Sequence, residues 1–227
     1  MTLTYPELPM RDRPIGDIAA TLPGATAVFR KFKLDFCCGG DVALGVSARR
    51  RGVDVAAIED ELAKLRLAEQ ADTVPAETPA LIQHILTRYH DTHRRELPEL
   101  IQLARKVEAV HDGHPQAPYG LAEHLRQIAG ELEVHMKKEE LILFPAMGRV
   151  AGGLDGPITQ MRHEHDGHGE QLRRLEEIVH GFALPDDACR SWRALYAGAH
   201  KLVDDVMEHI HLENNVLFPR FELAKAD

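Results

Sequence analysis

The chain has 227 residues, 44% hydrophobic and 28% charged, with a formal net charge of −9. That length allows one full core and a smaller second domain, and the acidic balance argues against a nucleic acid or an anionic membrane surface as partner. No apolar run approaches the roughly 18–20 residues of a membrane helix, and the start, Met1 to Glu7, lacks the basic and apolar regions of a signal peptide. Three cysteines, two of them adjacent (Cys37 and Cys38), make no secreted disulfide framework. The composition therefore reads as a soluble, reduced, cytoplasmic protein. Histidine is the unusual residue, with 14 copies clustered from His84 onward.

In chain order, residues 1–10 read as a loose lead-in. Pro14 and Pro23 are placed to start short helices, and Asp41 and Asp54 to cap them. Residues 11–68 thus give three or four short helices, a small helical domain within 1–70. Cys37-Cys38-Gly39-Gly40 precedes the cap expected at Asp41, where helix amides lower a thiol pKa. A vicinal disulfide is strained and reducible, so the pair reads as redox or transfer thiols; two small buried residues are the plainer alternative. A linker follows at 71–78. Beyond it, helical segments are expected at 79–111, 118–148, 157–181 and 186–224, with prolines near their starts and glycines at their breaks. Short connections make neighbours antiparallel. The fold class is all-α, an up-down-up-down four-helix bundle over 79–227 preceded by the small helical domain. Pro98, Pro145 and Pro219 are expected to kink or end their helices.

A metal-ligand motif occurs twice in the bundle. His135-Met136-Lys137-Lys138-Glu139, followed by Leu143-Phe144-Pro145, returns 74 residues later as His209 to Glu213 with Leu217-Phe218-Pro219. His90-Asp91-Thr92-His93 returns as His165-Asp166-Gly167-His168. Counting at steps of three and four puts these residues on apolar seams: Ile82, Leu86, His90 and His93 in the first helix; Leu132, His135, Glu139 and Ile142 in the second; Ile158, Met161, His165 and His168 in the third; Val206, His209, Glu213 and Val216 in the fourth. A rise of about 1.5 Å per residue brings His90, His135, Glu139 and His165 to a common depth, and brings His209 there only if the fourth helix starts late or the connection before it wanders. His111 lies about 31 Å along the helix from His90 and drops out.

One buried His–Glu pair is unremarkable, but two in register with two further inward histidines indicate metal. Four imidazoles and two carboxylates without a thiolate disfavour structural zinc, magnesium and calcium and suit iron or manganese. Six side chains are too many for one open site. Two ions are therefore expected, each on two histidines, with Glu139 and Glu213 as carboxylate bridges and an oxo or hydroxo group between them. His93 and His168 read as supporting residues. Glu131 and Glu164 are candidates to order a histidine or pass protons. His84, His114, His124, His163, His180, His200 and His211 are assigned to the surface.

The stretches DFCCGG, RYHDTHRRELPEL, HMKKEELILFP, EHD at 164–166 and HIHLENNVLFPR carry a family resemblance. The carboxy-terminal two-thirds resembles a hemerythrin-like di-iron domain, and the whole chain is similar to the iron–sulfur cluster repair di-iron proteins. The resemblance implies two iron ions on His90, His135, Glu139, His165, His209 and Glu213, and a role for Cys37 and Cys38. It also implies repair of clusters damaged by nitric oxide or oxidants, with damaged iron–sulfur proteins or apo-cluster scaffolds as partners. Iron donation is the leading reading, in which the protein is not an enzyme. The alternatives are nitric oxide reduction at the two irons, and oxygen or nitric oxide binding or sensing. A homodimer is left open.

Overall fold

The computed structural model describes residues 8–22, 24–65, 74–149 and 153–222. Pro23, Gly152, residues 1–7 and the 71–73 part of the expected linker lie outside them. Among the described residues one compact unit takes in those up to Leu81 together with Met207–Glu222, and a second takes in Ile82–Val206.

The first unit begins with a 3-10 turn at Met10–Asp12, then α1 (Ile15–Thr21), α2 (Ala25–Lys31), α3 (Leu44–Arg51) and α4 (Val55–Leu65). Ile15, Ile18, Phe29, Phe36, Leu44, Ile58 and Leu62 form its core. Asp54 caps α4, its carboxylate accepting the Ala56 amide at 3.0 Å. Asp41 does not cap α3, which starts at Leu44 behind Ala43 without a side-chain cap. The Gly39-Gly40 loop is instead tied back to α1: the Ile15 amide donates to Val42 at 2.9 Å and the Gly16 amide to Gly40 at 2.8 Å. The unit is completed by 207–222. Arg30 pairs with Glu208 at 2.9 Å, and the His211 ring meets Phe36 edge-on. The side-chain amides of Asn214 and Asn215 donate to the carbonyls of Cys37 and Phe36, both at 3.0 Å. A Cβ on Gly16 would lie 2.8 Å from Asn215 Oδ1, and Gly40 is closer still. Only glycine lets these backbones reach that side chain.

The bundle is the expected up-down-up-down arrangement, and the described residues contain no strand, only an isolated bridge from Pro14 to Ala43. Its first helix joins α5 (Thr78–Ile85) through a π turn at Leu86–His90 to α6 (Asp91–Val110). The second is α7 (Leu121–Lys138), a π turn at Glu139–Leu143 and the short α8 (Phe144–Met147). The third is α9 (Asp155–Ile178), followed by a 3-10 turn at His180–Phe182. The fourth is α10 (Arg190–His211), a π turn at Leu212–Leu217 and a 3-10 turn at Phe218–Arg220. It begins later than the 186 expected, which is one of the two ways to bring His209 to the common depth. Within the second unit α6 packs on α7 and α7 on α9. Arg88 and Glu96 bind Asp205 and Lys201 of α10 at 2.7 and 2.6 Å.

The π turns correct the seams. Ile142 is 65% exposed, and Leu143, Phe144 and Met147 are buried in its place. Leu217 and Phe218 are buried rather than Val216, and Leu81 and Ile85 rather than Ile82 and Leu86. A π turn closes from i to i+5, so it holds one more residue than an α turn and rotates everything beyond it by one position. Phe144 donates to the Glu139 carbonyl and Phe218 to that of Glu213, each an i to i+5 bond. The next bond in either ladder would need the amide that Pro145 and Pro219 lack. Pro98 does not end α6, which runs on to Val110; it faces solvent, where water can serve the carbonyl it leaves free.

Candidate metal centre

The centre is built where the helices widen. His90 closes the first π turn, Glu139 opens the second, and Glu213 lies in the third. His135 and His209 are in the last turns of α7 and α10, four residues before those glutamates, and His165 is on regular α9. Four of the six are fully buried, and His135 and His209 are 2% and 1% exposed.

Glu139 offers one oxygen to each of two histidines: Oε2 lies 3.4 Å from His90 Nε2 and Oε1 lies 3.4 Å from His135 Nε2. His135 and His165 bring their Nε2 atoms to 3.0 Å of one another, and His209 Nε2 lies 3.0 Å from Glu213 Oε1. His90, Glu139, His209 and Glu213 form one group whose ligand atoms all fall within 4.8 Å. His135, Glu139, His165 and Glu213 form another on the same criterion. Each group has two imidazoles, and both contain the same two carboxylates. Lone-pair nitrogens converging on shared buried carboxylates are the donor set of a carboxylate-bridged pair of cations, and the residues present fit that group.

Two of the imidazoles are held from behind. His135 Nδ1 donates to Glu164 Oε2 at 3.0 Å, and Lys138 and Gln160 bind the other oxygen. Burial works to raise the Glu164 pKa, but these bonds outweigh it and bring it to about 2. His90 Nδ1 lies 2.8 Å from Glu140 Oε1. Arg94 forks onto both Glu140 oxygens at 2.7 and 3.1 Å and turns its Nε to Glu133 at 2.8 Å. Glu140 was missed from sequence; the doubled acid at 139–140 was the available signal.

The other candidates separate. His93 is buried with its ring near Tyr89, and His168 packs its ring 4.9 Å from that of His135. Glu131 is exposed, accepts from Gln127 and does not meet His135. His111 bonds the Val107 carbonyl and packs on Trp192, outside both groups. Two histidines assigned to the surface are buried: His124 bonds the Gln171 carbonyl at 2.8 Å, and His211 has its pKa lowered to about 4 by burial. An open cavity of about 680 Å³ is lined by Val134, Lys138, Glu164, Gly167 and His168, and so includes the carboxylate that His135 binds.

The sulfurs of Cys37 and Cys38 are 3.8 Å apart, unbonded. Asp35 Oδ1 accepts the amides of Cys38 and Gly39 and lies 3.4 Å from Cys37 Sγ, so a carboxylate occupies the place where helix amides were expected. Hydrogen bonding with Cys38 and then burial push the Cys37 thiol well up, the opposite of the expected lowering.

Residues 81–221 match the hemerythrin HHE cation binding domain, and residues 11–66 match a domain of unknown function (DUF542). The chain is 48% identical over 216 residues to the iron–sulfur cluster repair protein YtfE of Dickeya chrysanthemi, covering 92% of this chain and 96% of that one. It is likewise 48% identical over 214 residues to the proteins of the same name from Citrobacter koseri and Escherichia coli, with the same coverage. The chain belongs to the iron–sulfur cluster repair family, and its bundle is that family's hemerythrin HHE domain.

Proposed function

We propose that this protein restores iron–sulfur clusters damaged by nitrosative or oxidative stress, and that it does so from a pair of iron ions held by His90, His135, Glu139, His165, His209 and Glu213. The observation that carries the reading is the sharing of both glutamates by the two histidine pairs. Bound there, ferrous iron supplies labile metal and positions open to a small diatomic ligand. The imidazole-rich donor set carries little negative charge and so favours the ferrous state. Glu164 orients His135, and the cavity beside it gives nitric oxide, oxygen or water a way in. His168 lines that approach and His93 supports the buried side.

Iron leaves as cargo for a damaged cluster protein or an apo-cluster scaffold, with Cys37 and Cys38 as transfer or redox thiols in the amino-terminal helical segment. A cytoplasmic setting is supported by the three cysteines, none of which is in a disulfide.

The deciding measurement is metal content and optical spectroscopy of the wild type and Glu139→Ala. Two irons per chain with an oxo-bridge absorption, lost in the variant, is the expected result. One zinc per chain would overturn the reading. Iron that stays in the protein while a nitric-oxide-treated cluster enzyme regains activity would rule out donation and leave turnover at the irons.

A further inference from the structure

Glu139 and Glu140 grip the same imidazole. Glu139 Oε2 faces His90 Nε2, and Glu140 Oε1 binds His90 Nδ1. Consecutive residues on an α-helix point about 100° apart; the π turn at Glu139–Leu143 winds less per residue, which lets neighbours reach opposite nitrogens of one ring. Glu140 is in turn fixed by the Arg94 fork.

We propose that Glu140, clamped by Arg94, is a positioning residue for one of the two ions: it fixes the tautomer and aim of His90 and so sets how tightly the ion shared by His90 and His209 is held. This rests on the two-ion reading above. An ionised carboxylate only accepts, so His90 Nδ1 must carry the proton and Nε2 the lone pair that binds a cation. The arginine holds that carboxylate in one plane, and a carboxylate behind an imidazole raises its basicity as a ligand. Asn214, the residue matching Glu140 after the second glutamate, is an amide rather than a carboxylate, and its Nδ2 donates to the Cys37 carbonyl. The other ion has a separate arrangement in His135, Glu164 and Lys138. Loss of Glu140 should therefore be felt at one ion of the pair.

The test compares Glu140→Gln with Glu133→Gln in the full chain loaded anaerobically with ferrous iron. Both variants take a carboxylate from Arg94, but only the first touches His90. Iron extraction by an excess of chelator is timed, and Mössbauer spectra are recorded before extraction. For Glu140→Gln one iron should leave about 10- to 100-fold faster while the other keeps wild-type kinetics, in the range usual for loss of an outer partner of a metal-bound histidine. One of the two quadrupole doublets should shift. Glu133→Gln should match wild type, and Glu140→Asp should recover part of the retention. Arg94→Lys, which keeps the charge but loses the fork, serves if Glu140→Gln does not fold; it should fall between wild type and that prediction. Wild-type release and spectra in Glu140→Gln would overturn the proposal. So would an equal effect of Glu133→Gln, which would reduce the network to a cross-link between α6 and α7. A wild-type chain that takes up no pair of irons would instead sink the two-ion reading itself.

Discussion

Asp205 shows how single side chains hold the bundle together. It is buried on α10, with Arg88 on one oxygen at 2.7 Å and Lys201 on the other at 2.8 Å. Burial alone would raise its pKa; the two cations outweigh that and hold it below the usual carboxylate range. Both cations are nearly half exposed, so they can be solvated once the carboxylate is gone. Asp205→Asn should cost about 1–3 kcal/mol by urea unfolding at pH 7. Because the folded pKa is depressed, the advantage of the wild type is complete above the unfolded value of about 3.9 and fades as pH falls through the folded one. A gap between the two proteins that stays constant down to pH 2 would contradict this. At this scale the six candidate metal-binding residues were legible as a cluster because they repeat at fixed spacing. Glu140, His211 and the raised Cys37 thiol were not: Glu140 and His211 depend on partners far away in the chain, His90 and Phe36, and the thiol on burial that only the fold creates.

The π turns are the element-scale feature that a count at steps of three and four could not contain. The seam was legible as far as His135 and Glu139 and then slipped by one residue, since Leu143, Phe144 and Met147 lie four, five and eight positions beyond Glu139. An α-helix would bury the third, fourth and seventh. Pro145 and Pro219 mark the slip in hindsight. Deletion of the exposed Ile142 should restore the α pattern, so the bundle should keep its helical circular dichroism and its core. Glu139 would lose the turn that aims it, and iron content should fall from two per chain to one or none. Two tightly held irons in that deletion would show that the wide turn is incidental to the site. The topology itself needed only the loop signals and helix lengths, which is why it was legible throughout.

For the whole molecule, stability should depend on metal if the six proposed residues hold it. Two carboxylates at 0% exposure and four imidazoles are costly to bury without a cation. Ligand bound only to the folded state adds about 4 kcal/mol at a thousandfold excess over Kd, or roughly 8–16 °C in Tm for a chain of this size. Chelation should lower Tm by that amount, and ferrous iron, but not magnesium, should restore it. An apo-protein that melts with the iron-loaded form would refute this.

The amides of Asn214 and Asn215 give the internal repeat a further consequence. In the first copy the matching positions hold Glu140, which serves a histidine, and Leu141, which is 73% exposed. In the second they hold the backbone of Phe36 and Cys37. The first helix pair offers a carboxylate at this position, and the second offers amides that moor the cysteine segment. A chain made of the first pair twice over would retain every ligand type and lose that mooring.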